Sequence, residues 1–238
     1  MTGDQRYTRL GLSDTIIISA GKGSNAEEYV VHTSFATRSS AYIKAALNRV
    51  WKEAEEKRIN IVDAEPGVVE AYLNWVYSKE IPLNLRSEKV CGCCKEARTR
   101  ANQCIFYASK ELAKMYVLGD YLSDFRFCNA VADIWKSMNL VAGCYPSIGA
   151  TQYVWQNTST NCILRELVLE SWKSCLITDH IGAILQDADL PQNFTIDLLV
   201  YMGRCYKTQI KKDTGAQNSP MKKKCSFHKH VDKSDKCS

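Results

Sequence analysis

The residues best suited to chemistry lie near the end of the chain, as Cys225-x2-His228-x-His230-x6-Cys237. Two thiolates and two imidazoles are the number and softness of ligand that tetrahedral Zn²⁺ prefers. The Cys-x2-His opening has ligand spacing, whereas His-x-His and the six-residue gap are not those of a zinc finger. A tail too short to bury a core would take its folding energy from the metal. Lys222, Lys223 and Lys224 stand next to the cluster. They read as a nuclear-import or nucleic-acid patch, or equally as a solvated run in a disordered tail. A second cluster, Cys91-x-Cys93-Cys94-x9-Cys104, sets four thiols within fourteen residues. It too could hold Zn²⁺, but only one Cys-x2-Cys is present, so no knuckle pair forms. The favoured alternative is a thiol-rich loop in which Cys104 opens the buried face of a helix shared with Ile105, Ala108, Leu112 and Met115.

Other chemistry-bearing residues read as structural. Gly21-Lys22-Gly23-Ser24 lacks the spacing of a phosphate loop and sits between two strand patterns, so a turn is expected there. His32 closes a strand pattern with no second ligand or nucleophile nearby in sequence, which predicts a hydrogen-bonded fold residue. His180, beside Asp179, is expected in the cap region of a helix. No nucleophile, base and orienting group converge on one apolar pattern, so no enzyme is expected.

The whole-chain numbers bound the class. In 238 residues, 45% are hydrophobic and 24% charged, ordinary for a folded chain with one extended domain or two small ones. No apolar run approaches the roughly 20 residues of a membrane-spanning helix, and the first residues have no secretory pattern. Eleven cysteines, an odd number scattered through helical patterns, predict reduced thiols in the cytoplasm or nucleus. The net charge of +5 belongs entirely to residues 211–238, where eight lysines face Asp213, Asp232 and Asp235. A nucleic-acid face on the folded part would need that excess elsewhere, so nucleic acid ranks behind protein as a partner.

The elements follow from periodicity. Asp14 to Ser19 reads as a strand buried on both faces, and Tyr29 to His32 as a second strand. Tyr42 and Ile43 lead a helical pattern through Leu47. Lys57 to Val62 alternates as a half-buried strand. Pro66 opens a helix with Val69, Tyr72, Leu73 and Val76 at i, i+3, i+4, i+7. Residues 79–103 read as an irregular insertion. A helix over 101–118 should stop at Gly119, and Ser123 should cap another running through Trp135 with Phe127, Val131 and Ile134. A linker over 139–147 precedes short helices from Ile148, around Leu164–Trp172, around Ile181–Leu185 and over 193–206.

In that order, the pieces resemble a BTB/POZ domain. They are Asp14 before the apolar strand, His32 at the end of the second, Ser39-Ser40-Ala41-Tyr42-Ile43 at a helix start, Ile59-Asn60-Ile61-Val62-Asp63 as the third strand, Tyr72-Leu73-Asn74-Trp75-Val76-Tyr77, and the helix of Ala108 to Gly119. The later stretch Leu164-Arg165-Glu166-Leu167 to Trp172 is similar to the BTB proteins of filamentous fungi. The resemblance implies an α+β fold: a BTB/POZ domain over 12–138 with the Cys-rich insertion, a helical extension over 139–210 and a basic Cys/His tail over 211–238. It also implies homodimerisation through residues of about 10 to 47, with Ile16, Tyr42, Ile43 and Leu47 as candidate contacts, and a role as an interaction scaffold. An adaptor for a cullin-type ubiquitin ligase is one such role, although the insertion falls on the surface the family gives to cullin. In several members Asp14 shares a charged pocket with a basic residue directly after the histidine; here Thr33 stands there. The rival expectations are a nuclear regulator whose tail binds zinc or nucleic acid and, last, a zinc hydrolase, which would need an open metal position and a placed base.

Overall fold

The computed structural model describes residues 14–48, 52–83, 105–142, 145–175, 189–210 and 228–229. The chain is α+β and divides into two compact units: residues 1–80 with 120–124, and residues 81–119 with 125–238. Helix Phe125–Ala142 packs on helix Ile163–Cys175, which sorts it with the later helices.

The first unit is built on a three-stranded mixed sheet of order β2-β1-β3, with β1 Thr15–Ala20, β2 Glu27–His32 and β3 Arg58–Ile61. β1 runs antiparallel to β2, pairing Thr15 with His32, and parallel to β3, pairing Ile17 with Arg58. Burial alternates along β1: Ile16, Ile18 and Ala20 are buried, while Ile17 and Ser19 are half-buried. The expectation of a strand buried on both faces is therefore corrected, because only one face of so small a sheet is packed. The turn after β1 needs positive φ at Gly21 (+83°), where a Cβ would stand 2.6 Å from the carbonyl oxygen of Asn25. Lys22 in that turn pairs with Asp63 at 2.6 Å on the surface, as a hairpin residue rather than part of a phosphate loop.

Helices α1 Thr33–Ser39, α2 Ala41–Leu47 and α3 Lys52–Glu56 connect β2 to β3, and α4 Pro66–Ser78 follows. Ser40 separates α1 from α2 by capping: its hydroxyl accepts from the Ile43 N–H at 3.0 Å and donates to the Leu122 carbonyl at 2.7 Å. Pro66 occupies the first turn of α4, and Lys79 ends it in the left-handed region. Val69, Tyr72, Leu73 and Val76 are all buried, as their spacing predicts. His32 is a fold residue: its backbone N–H donates to the Tyr77 hydroxyl at 3.0 Å, and that hydroxyl lies 2.9 Å from Nδ1.

The second unit is helical. Helix α5 Ile105–Tyr121 runs through Gly119, and Ser123 in the left-handed region (φ +53°) lies beyond its end. A glycine stop at 119 and a cap at Ser123 are both corrected: the helix continues to Tyr121 with Leu118 buried in it, and Ser123 has left-handed backbone rather than the extended one of an N-cap. Helix α6 Phe125–Ala142 also outruns its expected end, carrying Phe127, Val131 and Trp135 fully buried. Helices α7 Ile148–Asn157, α8 Ile163–Cys175 and α9 Gln192–Ile210 complete the described part. Buried polar contacts tie these helices together. Trp135 Nε1 donates to Ser171 Oγ (2.9 Å) and Trp172 Nε1 to Thr151 Oγ1 (3.0 Å). The Arg165 guanidinium donates to the carbonyls of Trp155 (2.9 Å) and Thr158 (2.6 Å).

Candidate functional site

In the first unit, β1, α1, α2 and the turn into β3 enclose an open groove of about 470 Å³. Ile16 and Leu47 supply its apolar lining, Thr33, Thr37 and Asn48 its neutral polar groups, and Asp14, Arg38, Lys44 and Lys57 its charges. Three cations face one carboxylate, so the groove favours an anion or an acidic side chain. The Asp14 carboxylate is taken by the Lys57 ammonium. That hydrogen bond, helped by Thr33, holds the Asp14 carboxyl below its ordinary value. Arg38 lies over the Phe35 ring at 5.1 Å, and Phe35 in turn packs on Tyr77 at 4.9 Å.

Lys57 is the residue that sequence reasoning missed. Thr33 fills the position after the histidine, and no basic neighbour of Asp14 is visible along the chain. The parallel pairing of β1 with β3 supplies one from 43 residues away, because the Ile17 N–H bonds to the Lys57 carbonyl at 2.9 Å. Lys57 itself has positive φ (+48°), uncommon for a residue with a Cβ, and it marks the turn that delivers the chain into β3. The only signal in sequence is its place directly ahead of the Ile59/Ile61 alternation.

The four candidate dimer contacts separate. Ile16 and Ile43 are only 2% and 0% exposed in the chain, so their surface is already spent in its core. Tyr42 and Leu47 are half-buried. Leu47 lines the groove, and the Tyr42 ring packs at a tilt against Tyr121 at 4.9 Å, its hydroxyl accepting from that of Tyr121 at 3.1 Å. Burial and the Tyr42 contact push the Tyr121 phenol up to about 12. Val30, Val62 and Tyr121 are further large apolar residues left exposed on this unit.

Of the candidate zinc ligands, Cys91, Cys93, Cys94, Cys104, Cys225, His230 and Cys237 lie outside the described residues, as does His180. His228 lies within them, with Nε2 2.7 Å from Asp133 Oδ1 and its side chain 4% exposed. Among the described residues no three His, Cys, Asp or Glu side chains gather as a metal site would require. Cys128 and Cys162 are buried thiols and Cys205 a half-buried one, none of them in a disulfide. No helix among the described residues is long and apolar enough to cross a membrane.

No protein-family model matches this sequence, and no curated protein matches it either.

Proposed function

We propose that this chain is a protein-interaction module of the BTB/POZ kind that pairs with a second copy of itself through the α1–α2 side of its first unit. The observation that carries the proposal is the groove itself, where half-exposed Leu47 stands among Arg38, Lys44 and the Asp14–Lys57 pair. A small sheet with one packed face spends its apolar residues inward, so a remaining apolar contact ringed by charge is the pattern of an interface core with a polar rim. The charges set register and suppress wrong partners, and Leu47 with Tyr42 supplies the area removed from water. As a dimer the chain would serve as a scaffold, with the adaptor role for a cullin-type ligase as the use its resemblance suggests. Light scattering behind size exclusion should return twice the chain mass, and Leu47→Glu should halve it. A monomer at micromolar concentration in the unsubstituted protein ends the proposal. Affinity capture from native extract, probed for cullin, tests the adaptor role separately.

A second function is favoured by one contact. Histidines that ligate metals usually donate their other ring N–H to a carboxylate, which fixes the tautomer. The Asp133–His228 pair has that form, and Cys225, His230 and Cys237 stand near His228 in sequence. A zinc-holding regulatory tail would use it so. Zinc retained in stoichiometric amount under native mass spectrometry is the expected result, and its absence from freshly purified protein removes this reading.

A further inference from the structure

Residues His228 and Lys229 lie outside any helix or strand, yet the His228 ring and the Lys229 main chain and ammonium meet chemically matched partners on α5 and α6 of the second unit. Asn129 Nδ2 donates to the Lys229 carbonyl at 3.0 Å, and its Oδ1 accepts from the Lys229 N–H at 2.8 Å. A carboxamide that satisfies both backbone groups of one residue binds main chain as a neighbouring strand would, with no preference for side chain. Preference comes from either side of it. One helical turn along α6, Asp133 Oδ1 meets His228 Nε2 at 2.7 Å; a carboxylate can only accept, so that nitrogen carries the proton. Asp133 is shared with Lys136 at 3.4 Å, which keeps the carboxylate from being the sole charge at the contact. On the other side, Lys229 Nζ stands 5.5 Å from the ring centres of both Tyr116 and Phe125, within the range of cation–π attraction.

We propose that this face of α5 and α6 is a peptide-reading site specific for a His-Lys dipeptide, occupied in cis by the chain's own residues 228 and 229. Asn129 holds the backbone, Asp133 reads the imidazole and the Tyr116–Phe125 pair reads the ammonium. The occupant is argued by what already sits there: a contact spanning about a hundred residues of sequence that uses two side chains and both main-chain groups of the docked segment. The site is thereby a latch on the basic tail. Loss of the Lys229 charge, or of the Asn129 carboxamide, opens it.

The test uses the full chain. His228→Ala with Lys229→Ala vacates the site in cis, and a labelled peptide covering Lys224 to Asp232 is then titrated in by fluorescence anisotropy with a chelator present. The vacated chain should bind the peptide saturably, while the unsubstituted chain binds it at least roughly tenfold more weakly because its own segment competes at high effective concentration. Adding Asn129→Ala to the vacated chain should abolish binding. Lys229→Gln or His228→Ala in the peptide should each weaken it roughly tenfold, about the 1.4 kcal/mol that one matched charged contact supplies. Tryptic cleavage after Lys229 gives an independent readout, and it should speed up in the otherwise unsubstituted Asn129→Ala chain. Absence of saturable binding on the order of 100 µM, well above the micromolar range of a weak but specific contact, overturns the proposal. So does tail cleavage at the same rate with and without Asn129.

Discussion

The two compact units use polar side chains in opposite ways. In the first, charges pair at the surface: Lys22 with Asp63, Lys57 with Asp14, and Arg58 with Glu28, most of these side chains being half or more exposed. In the second, they are taken inside. Glu170 is fully buried between Lys173 (2.6 Å) and the Tyr201 hydroxyl (2.8 Å), and Arg165 is clamped on two carbonyls and over the Trp155 ring. Exposed pairs contribute little because water screens them, whereas a buried polar group left without its partner costs its full desolvation. The first unit can therefore lend its charges to contact with another chain without losing its core, while the second spends them on fixing one packing of its helices.

That contrast can be broken from its strongest side first. Trp172 is 1% exposed, stacks on Tyr145 at 4.9 Å and donates to Thr151. Trp172→Ala should cost about 3–5 kcal/mol in urea unfolding, read by the fluorescence of Trp135 and Trp155. Arg165→Met should cost about 2–3 kcal/mol, since it removes the donor from the buried Trp155 carbonyl and from the half-buried Thr158 carbonyl. If it proves neutral, the second unit does not depend on its polar interior.

In the first unit the largest polar effect should come from Ser40, a fully buried polar side chain that caps α2 and holds the Leu122 carbonyl. Ser40→Ala should cost about 1–2 kcal/mol. Lys57→Met should leave the unfolding midpoint nearly unchanged and instead return the Asp14 titration, followed by NMR, upward toward its ordinary value. The depressed Asp14 carboxyl binds fewer protons in the folded state. Its contribution is complete above the unfolded value near 3.8 and disappears as pH falls through the folded value below that.

The alkaline side sharpens the comparison with the opposite sign. Tyr201 is pushed above its ordinary value by burial and by Glu170, and Tyr29 up to about 12 by burial and by Glu27. Both hold protons in the folded state that the unfolded chain has lost. Their contribution should be level below pH 10 and fall above it, as unfolding midpoints collected across that range will reveal. Tyr201→Phe should remove more of that slope than Tyr29→Phe, because Tyr201 is the more deeply buried phenol.

Much of this architecture was legible in residue order. The α4 stripe of Val69, Tyr72, Leu73 and Val76, the α8 stripe of Leu164, Leu167, Val168 and Trp172, and the strand pattern at Ile59 and Ile61 are all buried where their spacing puts them. Each is a periodic signal that repeats within one element, and a single packed face is enough to produce it. Helix ends were less legible. Gly119 has the residue type of a stop, but continuing the helix to Tyr121, with Leu118 buried in it, outweighs a local preference worth about 1 kcal/mol.

The candidate site divides along the same line. That Asp14, His32 and Leu47 belong to the first unit, and that the tail carries the entire net charge, sequence alone determined. Tertiary structure alone decided that Asp14 meets Lys57, that Ile16 and Ile43 are spent inside while Leu47 is not, and that His228 and Lys229 return to α6. The physical reason is range. Periodicity and capping are written within a few residues, but an ion pair across a parallel strand crossing, or an asparagine closing on main chain a hundred positions away, exists only once the intervening backbone has folded.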